Sequence, residues 1–488
     1  MRKIGVVVAL LLAAGGLFAK TTTIYHTSDT HGFYYPRNGQ GGFAAVASVV
    51  KHGPQPYLLL DSGDFANGTI EAKKSKGIKS AQIMNKVGYH ATTIGNHEFD
   101  FKEAGVAPLL AALNFPVLAA NFIDAKTKQY PANVKPYKIF DLDGVKVAVI
   151  GLANTTPTNA TKLYKFKDPL KTLKKVLPEV EAQKPNVVAI IVHDSLNDDK
   201  HGTKPYVEKI ARKFAGRVNL VLGGHAHKII QNEIVDGVLF TESGTATDGI
   251  SKVTVQTDDQ TGQFISAQSE LIPLIIANVG ENKDVAAYAN SLKEPGMDEV
   301  LGEAAETISM VSDVPEHKDS PLNDWIADLG RAYTGTQIFV HNNGGTRIDF
   351  RKGPITKRDT VEMHPFENKI VKMTVKGKFI KFLVEKSLLP RNLYTYSGMT
   401  ITYRNRKGKI KDLQIFVDGK PLQDNEEYTL GTNDYIAHGA SEGWPFKRIA
   451  DSEKEPVGTG NVRSILENGI RTQSPLKPMA TGRIIEIK

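Results

Sequence analysis

The hydrophobic pattern of residues 21–275 repeats one theme, in which short continuous apolar runs alternate with stretches of helical spacing such as "KSAQIMNKVG". A strand that is buried on both faces has a continuous apolar sequence, and the helices between such strands cover the sheet. The pattern therefore predicts an α/β domain whose sheets are covered by helices. The apolar runs are "TTIYHT", "YLLLDSGD", "KVAVIGLA", "VVAIIVHD", "VNLVLGGH" and "GVLFTESG".

The pattern changes after residue 280. Residues 281–302 are polar, charged and prone to helix formation, which indicates a connector helix. Residues 303–488 mix helix-like segments such as "LNDWIADLGRAYTG" with strand-like segments such as "QIFVHN", which is typical of a smaller α+β domain. A length of 488 residues also favours more than one core. We therefore predict a first domain over residues 20–280 and a second over residues 303–488.

The first 19 residues have the order of a secretory signal peptide. A basic start is followed by an apolar run and by small residues that end at Ala19, where we place the cleavage. The apolar run is short for a membrane span, and the chain has no cysteine for a lipid anchor or a disulfide. We therefore expect an exported protein without a membrane span after signal removal. A periplasmic location is expected, with the cell surface or secretion as alternatives.

Composition and charge narrow the choice of partner. The hydrophobic content of 41% and charged content of 23% are typical of a soluble globular protein. The formal net charge of +8 is spread along the chain without a long basic run. A mildly basic surface favours anionic small molecules, and we expect no nucleic-acid polymer as a partner. The oligomeric state is left open by the sequence.

Side chains that can bind a metal ion or transfer a proton follow successive apolar runs. Residues beyond the carboxyl ends of parallel strands can converge at one edge of a sheet. A mixture of imidazole, carboxylate and amide oxygen suits Mn, Fe, Zn or Co better than calcium. One such residue usually only caps a loop, but five successive motifs indicate a metal site. The motifs are "HTSDTHG" with Asp29 and His31, "LLLDSGDFANG" with Asp64, "TTIGNHEFD" with Asn96, His97 and Asp100, "IIVHDS" with His193, and "VLGGHAH" with His225 and His227.

The order D-x-H, GD, GNHE, H and GHxH resembles the calcineurin-like metallophosphoesterases over the whole first domain. The resemblance implies a four-layer α/β/β/α fold and two divalent metal ions (Mn, Zn, Co or Fe). Two adjacent cations generate a hydroxide nucleophile at neutral pH and neutralise charge on phosphoryl oxygens. By this resemblance Asp29, His31 and His227 bind one ion, Asn96, His193 and His225 bind the second, and Asp64 bridges both.

His97 and Asp100 form the expected catalytic pair. An imidazole that a carboxylate orients can donate a proton to a leaving oxygen. In the family that this sequence resembles, the histidine of GNHE works with an aspartate three residues on, and "NHEFD" fits that spacing.

The second domain extends the resemblance to the exported 5′-nucleotidases and UDP-sugar hydrolases. The Gly-Gly pair of "NNGGTR" allows close backbone approach, and Arg347 presents a planar cation suited to phosphate, although the segment alone also fits a hairpin turn. The resemblance implies that aromatic residues from "HPFEN" and "TNDYIA" stack on the two faces of a base, an arrangement worth about 1–3 kcal/mol per base. The implied substrate-binding residues are Asn342, Gly345, Arg347, Phe366, Asn368 and Tyr435.

Three segments of the second domain depart from the family pattern. An arginine pair is missing from "VSDVPEHKDSPLND", where Lys318 or the nearby Arg351 can supply a charge. Glu442 stands near the position of a ribose-binding aspartate, in a shifted register. Glu367 replaces a glycine and adds a negative charge.

Together these features predict an exported, two-domain phosphohydrolase that releases phosphate from nucleoside 5′-monophosphates, with other nucleotides as further substrates. Because the metals and the base lie in different domains, we expect a hinge closure. Two alternatives stay open. One is a sulfur-oxidation thiohydrolase or another phosphoesterase that uses the same metals. The other is a non-catalytic exported binding protein, in which we would expect a metal ligand to be lost.

Overall fold

A computed structural model describes residues 19–158, 161–196, 206–389 and 392–488. The predicted signal peptide lies outside the described residues up to position 18, and Ala19 begins the first strand. Within the described ranges, no helix combines the length and the apolar character that crossing a membrane requires.

The first part of the chain contains fifteen strands and eight α-helices in the described residues. The strands are β1 (Ala19–Thr27), β2 (Tyr57–Asp61), β3 (Ala91–Thr92), β4 (Val117–Leu118), β5 (Phe122–Asp124), β6 (Val134–Lys135), β7 (Tyr137–Leu142), β8 (Val145–Leu152), β9 (Tyr164–Phe166), β10 (Val187–Val192), β11 (Leu220–Leu222), β12 (Ile229–Val235), β13 (Val238–Ser243), β14 (Gly249–Asp258) and β15 (Phe264–Pro273). The helices are α1 (Phe43–His52), α2 (Ile70–Lys74), α3 (Ile78–Val87), α4 (Lys102–Ala111), α5 (Pro169–Glu181), α6 (Val207–Lys213), α7 (Ile276–Val279) and α8 (Lys283–Ser291).

Two β-sheets organise these elements. The seven-stranded sheet has the order β15-β14-β1-β2-β3-β4-β6, and the six-stranded sheet has the order β12-β13-β11-β10-β8-β7. In the first sheet β1, β2 and β3 run parallel, and in the second β8, β10, β11 and β13 run parallel. The carboxyl ends of several strands therefore lie along common edges.

The packing of neighbouring residues shows the layers. Ile24 belongs to an apolar cluster that joins residues of both sheets, including Val149. The next residue, Tyr25, belongs to a cluster with Phe43 of α1, because successive strand residues point to opposite faces. On the far side of the second sheet, Ile190 packs with Leu173 of α5. The predicted four-layer α/β/β/α fold is confirmed.

The second part of the chain is an α+β domain, also as predicted. Its sheets have the orders β20-β17-β24-β19-β25, β23-β22-β21-β26 and β16-β18. The strands are β16 (Val300–Ala304), β17 (Ile338–Asn342), β18 (Gly353–Thr356), β19 (Lys369–Lys376), β20 (Tyr394–Ser397), β21 (Met399–Arg406), β22 (Lys409–Val417), β23 (Lys420–Pro421), β24 (Glu427–Asn433), β25 (Glu455–Asn461) and β26 (Ile484–Glu486). The helices are α9 (Pro321–Thr334), α10 (Lys357–Met363), α11 (Gly377–Ser387), α12 (Asp434–Ala437) and α13 (Val462–Gln473).

The predicted connector over residues 281–302 is helical only in its first half. Helix α8 ends at Ser291, and strand β16 begins at Val300. Pro295 cannot continue a helix, and Gly296 has a φ of 76°, so the chain turns between these elements. The domain boundaries themselves stay a prediction.

A buried ion pair joins the two parts. Arg358 of α10 donates to Glu71 of α2 at 2.5 Å, and the guanidinium also lies over the Tyr35 ring at 4.8 Å. The Glu71 side chain is fully buried and that of Arg358 is 9% exposed. Because breaking a buried pair leaves an uncompensated charge, this contact fixes how α2 and α10 meet.

Candidate active site

The predicted metal ligands lie in loops that follow parallel strands. Asp29 and His31 follow β1, Asp64 follows β2, Asn96 follows β3, His193 follows β10, and His225 and His227 follow β11. The two sheets thus bring their carboxyl-terminal loops to one place.

Two groups of side chains in this cluster can each hold a metal ion. The ligand atoms of Asp29, His31 and His227 lie within 4.8 Å of one another, as do those of Asp64, His193 and His225. His193 links the groups, since its Nε2 lies 2.9 Å from Asp64 Oδ2 and 3.8 Å from Asp29 Oδ1. These two groups contain six of the seven predicted ligands, and the seventh, Asn96, lines the same cavity as Asp64 and His225.

Hydrogen bonds orient the ligands as a metal site requires. Nδ1 of His31 lies 2.8 Å from the Asn67 carbonyl oxygen and Nδ1 of His193 lies 2.7 Å from that of Ser62, so in each ring Nε2 is left for the cluster. The Asn96 Oδ1 atom is buried and has no hydrogen-bond partner among the described residues. A buried amide oxygen without a partner is costly unless a cation or water binds it. The residues present therefore fit a divalent metal site.

The backbone at the cluster is unusual. Five of the ligands have positive φ: Asp29 (51°), His31 (48°), Asp64 (59°), His225 (79°) and His227 (59°). Such conformations are uncommon for residues other than glycine and concentrate at functional sites. They let each loop turn its ligand inward directly after the strand.

Two glycines make room for the carboxylates. A Cβ atom on Gly95 would lie 2.1 Å from Asp64 Oδ1, and one on Gly224 would lie 2.9 Å from Asp29 Oδ2. The His225 backbone N–H, which follows Gly224, donates to both Asp29 oxygens at 3.1 and 2.9 Å. The glycines of "GNH" and "GGH" are therefore needed for this close approach.

Glu98 is a supporting residue that the sequence reasoning did not identify. Its buried carboxylate accepts backbone N–H groups of Asp64, Phe65, Ala66 and Gly95 at 2.6–3.2 Å. It thereby ties the Asp64 loop to the Asn96 loop. Its place in the "GNHE" motif was the available signal.

Electrostatics keep the carboxylates ionised. Burial raises the pKa of Asp64, but the His193 and His97 imidazoles outweigh burial and hold that pKa well below its usual range. Burial lowers the pKa of His193, but Asp64 and Asp29 outweigh burial and raise it to about 10. The Asp64 carboxylate and the His193 imidazole, 2.9 Å apart, therefore stabilise each other's charged forms.

His97 and Asp100 lie together at the side of the cluster. His97 Nδ1 is 2.7 Å from Asp100 Oδ2, and the His97 ring is 5.2 Å from that of His31. Asp100 also accepts hydrogen bonds from Asn67 at 2.6 Å and Thr158 at 2.5 Å. Burial lowers the pKa of His97, but Asp100 and Asp64 outweigh it, so the pKa lies above its usual value.

A cavity of about 710 Å³ separates the ligand cluster from the second domain. Asp64, Asn96 and His225 line one side, and Arg347 and Asn343 line the other. Arg347 and Phe366 also line a smaller cavity with His31 and His97. The Arg347 guanidinium has no ion-pair or hydrogen-bond partner within the described part of the chain.

The other predicted substrate-binding residues either bond to neighbouring protein groups or lie away from the two cavities. Asn342 accepts from Asn433 at 2.7 Å and donates to Glu442 at 3.3 Å, so its amide is already engaged. Gly345 is buried, and its carbonyl lies 2.8 Å from His364 Nδ1. Asn368 donates to Asp434 at 3.4 Å. Tyr435, which is 41% exposed, lines neither of the two cavities at the cluster.

The residues that depart from the family pattern lie in different surroundings. Lys318 and Glu442 line the large cavity. Arg351 does not, because its guanidinium pairs with Asp248 of the first domain at 2.5 Å. Glu367 lies 3.8 Å from Lys73 and 3.9 Å from Arg463, so cations balance its charge.

Two family models match the chain, one in its first part and one in its second part. Residues 22–228 match the family model "calcineurin-like phosphoesterase", and residues 300–448 match "5′-nucleotidase, C-terminal domain".

Two curated relatives illustrate the range of similar proteins. The chain is 27% identical to protein UshA of Yersinia enterocolitica, over 93% of this chain and 91% of that protein. It is also 27% identical to endonuclease YhcR of Bacillus subtilis over 90% of this chain, but the chain spans only 38% of that relative's length.

A solved structure shares the fold. The 5′-nucleotidase precursor of Thermus thermophilus superposes with a TM-score of 0.77 at 23% identity, over 96% of this chain and all of that chain. This likeness supports the arrangement of both domains.

Proposed function

Because the chain belongs to the family that joins a calcineurin-like phosphoesterase domain to a 5′-nucleotidase C-terminal domain, we propose that it is an exported, metal-dependent phosphohydrolase acting on nucleoside 5′-monophosphates. Members of this family hydrolyse phosphoric esters. The export proposal rests on the sequence of residues 1–19.

One observation carries the proposal. An unpaired guanidinium, Arg347, shares a cavity with two groups of metal ligands. A planar cation opposite a metal centre suits a tetrahedral anion such as a phosphate ester. The adjacent Phe366, which is 40% exposed, offers an aromatic face for the attached base.

Asp29, His31 and His227 would hold one divalent ion. Asn96, His193 and His225 would hold a second, with Asp64 between them. When bound, two such ions supply a nucleophile at neutral pH and neutralise charge on the phosphoryl oxygens. Arg347 would bind a phosphate oxygen on the opposite side and hold the ester in place for attack.

His97 would complete the reaction by giving a proton to the leaving oxygen. The Asp100 carboxylate, 2.7 Å from Nδ1, leaves Nε2 as the atom that carries the transferred proton. Asn67 and Thr158 hold Asp100 in turn. Proton donation by a positioned side chain contributes about 10²–10⁴-fold to a rate.

Tyr435 would reach the base only after a domain movement, because it lines neither cavity at the metal ligands in this arrangement. A hinge near residues 292–299 would allow that movement, since the chain there is neither helix nor strand. The movement would have to break the buried Arg358–Glu71 pair.

The decisive experiment is phosphate release by the purified protein, stripped of metal and then given Mn²⁺, Co²⁺ or Zn²⁺. The substrates are AMP, UMP, ATP, UDP-glucose, a 2′,3′-cyclic nucleotide and an aryl phosphate. We expect metal-dependent turnover with preference for the nucleoside monophosphates. Turnover of aryl phosphate alone would remove the nucleotide assignment, and absence of turnover with metal bound would favour the thiohydrolase or the binding protein.

A further inference from the structure

The hairpin of β21 and β22 carries an unusual concentration of positive charge. Residues 404–412 contain five cationic side chains and one carboxylate, a net charge of +4 out of +8 for the whole chain. The strands meet at a tight turn in which Lys407 and Gly408 have φ of 52° and 78°. The net positive charge, which is modest when averaged over the whole chain, is therefore concentrated at this exposed hairpin.

Strand register places four of these cations on one side. Arg404 lies opposite Lys411, and Arg406 lies opposite Lys409. Directly opposed residues of an antiparallel pair share a face. Arg406, Lys409 and Lys411 are exposed and Arg404 is half-buried, whereas Tyr403 packs in the core, so the cations lie on the solvent side of the hairpin. We call the side chains of Arg404, Arg406, Lys409 and Lys411 the basic face.

The basic face is poorly neutralised by the protein. Arg404 lies 3.3 Å from Asp412, but Arg406, Lys409 and Lys411 form no ion pair with any residue of the described ranges. Like charges directly across a ladder are destabilising. Two opposed cationic pairs on one hairpin therefore cost stability, and a bound polyanion would offset that cost.

The hairpin adjoins the active-site cavity. A depression lined by Arg404, Arg406 and Lys488 shares Pro315 and Lys318 with the cavity that contains the metal ligands. The carboxylates of this depression are already matched, since Glu486 lies 3.3 Å from Lys318 and Glu316 lies 2.7 Å from Lys488. A positive path therefore leads away from the site of phosphate hydrolysis.

We propose that the basic face binds the phosphodiester chain of a single-stranded oligonucleotide whose 5′-terminal phosphate occupies the active site. This inference rests on the proposed function and extends its substrate class. Water would add an oxygen to the terminal phosphorus, the P–O5′ bond would break, and the 5′ oxygen would receive a proton. The products are orthophosphate and an oligonucleotide with a 5′-hydroxyl group.

An oligonucleotide fits better than a membrane surface. The turn residues Lys407 and Gly408 bring no apolar side chain that could enter a lipid layer. Non-specific binding of single strands combines a basic track with aromatic stacking, and Phe366 lines the smaller cavity beside His31 and His97. This proposal differs from the expectation of no polymer partner, which rested on the absence of a long basic run along the chain and did not consider which cations strand pairing places together.

The test uses the double variant Arg406→Ala/Lys409→Ala and the matched control Lys171→Ala/Lys174→Ala, which removes two exposed cations from α5. Fluorescence anisotropy measures binding of a 3′-labelled, 5′-phosphorylated thymidylate decamer in EDTA, so that no turnover occurs. We expect about tenfold weaker binding for the hairpin variant and a salt dependence shallower by about 1.4 in log–log slope, at about 0.7 per lost phosphate contact. The control should bind like the unaltered protein.

Catalysis gives a second readout. The ratio of kcat/KM for the decamer to that for dTMP should fall about tenfold in the hairpin variant. Equal decamer binding by both variants would overturn the proposal. Loss of binding to phosphatidylglycerol vesicles with decamer binding retained would also overturn it, in favour of a lipid surface. If no phosphate ester is hydrolysed, the proposed function fails, and the anisotropy measurement still decides whether the hairpin binds oligonucleotide.

Discussion

The metal side and the substrate side of the proposed active site are built differently. On the metal side, loops from two sheets hold buried ligands, and hydrogen bonds fix the rings of His31 and His193 and the carboxylate of Asp29. On the substrate side, Phe366 and Tyr435 are each about 40% exposed. A metal ion needs its ligands in place to within a fraction of an ångström, whereas a stacked base tolerates movement of its platform. Replacing residues on each side should therefore have effects of different size.

The largest effect is expected at Asp64. Asp64→Asn keeps the shape but removes the charge between the two ligand groups, so turnover should fall at least about a thousandfold and bound metal should fall with it. Metal content by elemental analysis and phosphate release should be measured together. Full metal content with normal turnover would show that Asp64 is not a ligand.

His97 should separate chemistry from metal binding. His97→Ala removes the proposed proton donor without touching a predicted ligand side chain, so kcat should fall about 10²–10³-fold while metal content stays unchanged. A loss of metal would instead place His97 among the ligands. An aryl phosphate with a good leaving group should be affected less than AMP.

Substitutions of Arg347 test whether its positive charge binds the phosphate group of the substrate. Arg347→Ala should lower kcat/KM for AMP by about 10–100-fold, the value of a charge-assisted hydrogen bond to phosphate. Arg347→Lys should restore only part of this loss, because lysine lacks the planar fork. Steady-state kinetics with unchanged metal content would check the expectation, and full activity of Arg347→Ala would contradict it.

Replacing Asp100 should change the pH dependence of the activity. Asp100 outweighs burial in raising the pKa of His97, so Asp100→Asn should lower that pKa. Because the protonated imidazole is the proposed donor, activity declines as pH rises through its pKa, and the alkaline limb of the pH–rate profile should move to lower pH. The rate at neutral pH should fall about tenfold. An unmoved limb would argue that His97 is not the donor.

The smallest effects are expected at the aromatic residues. Phe366→Ala and Tyr435→Ala should each raise KM for AMP about fivefold, corresponding to about 1 kcal/mol of stacking, and leave aryl phosphate hydrolysis nearly unchanged. Equal effects on both substrates would mean that these rings support the fold rather than the base.

The sequence was most informative where chemistry restricts the residue type. Continuous apolar runs identified strands such as β2 and β10, and the residues that follow them offered metal ligands. Glu98 lies in the "GNHE" motif but was missed, because most of the backbone N–H groups that its carboxylate binds belong to another loop, which motif spacing does not show. Arg351 was proposed for substrate from its proximity along the chain, but tertiary folding directs it to Asp248. Contacts between domains depend on geometry that neither periodicity nor motif spacing contains.

The left-handed backbone at five of the proposed metal ligands limits how this centre can be redesigned. At such positions aspartate, asparagine, histidine and glycine are the residues that the backbone accepts most readily. Thiolate or thioether ligands, which would shift preference toward softer metals, would have to be introduced into loops of a different shape. A change of metal preference would therefore require rebuilding whole loops, because exchanging single side chains leaves the backbone conformation of the loops unchanged.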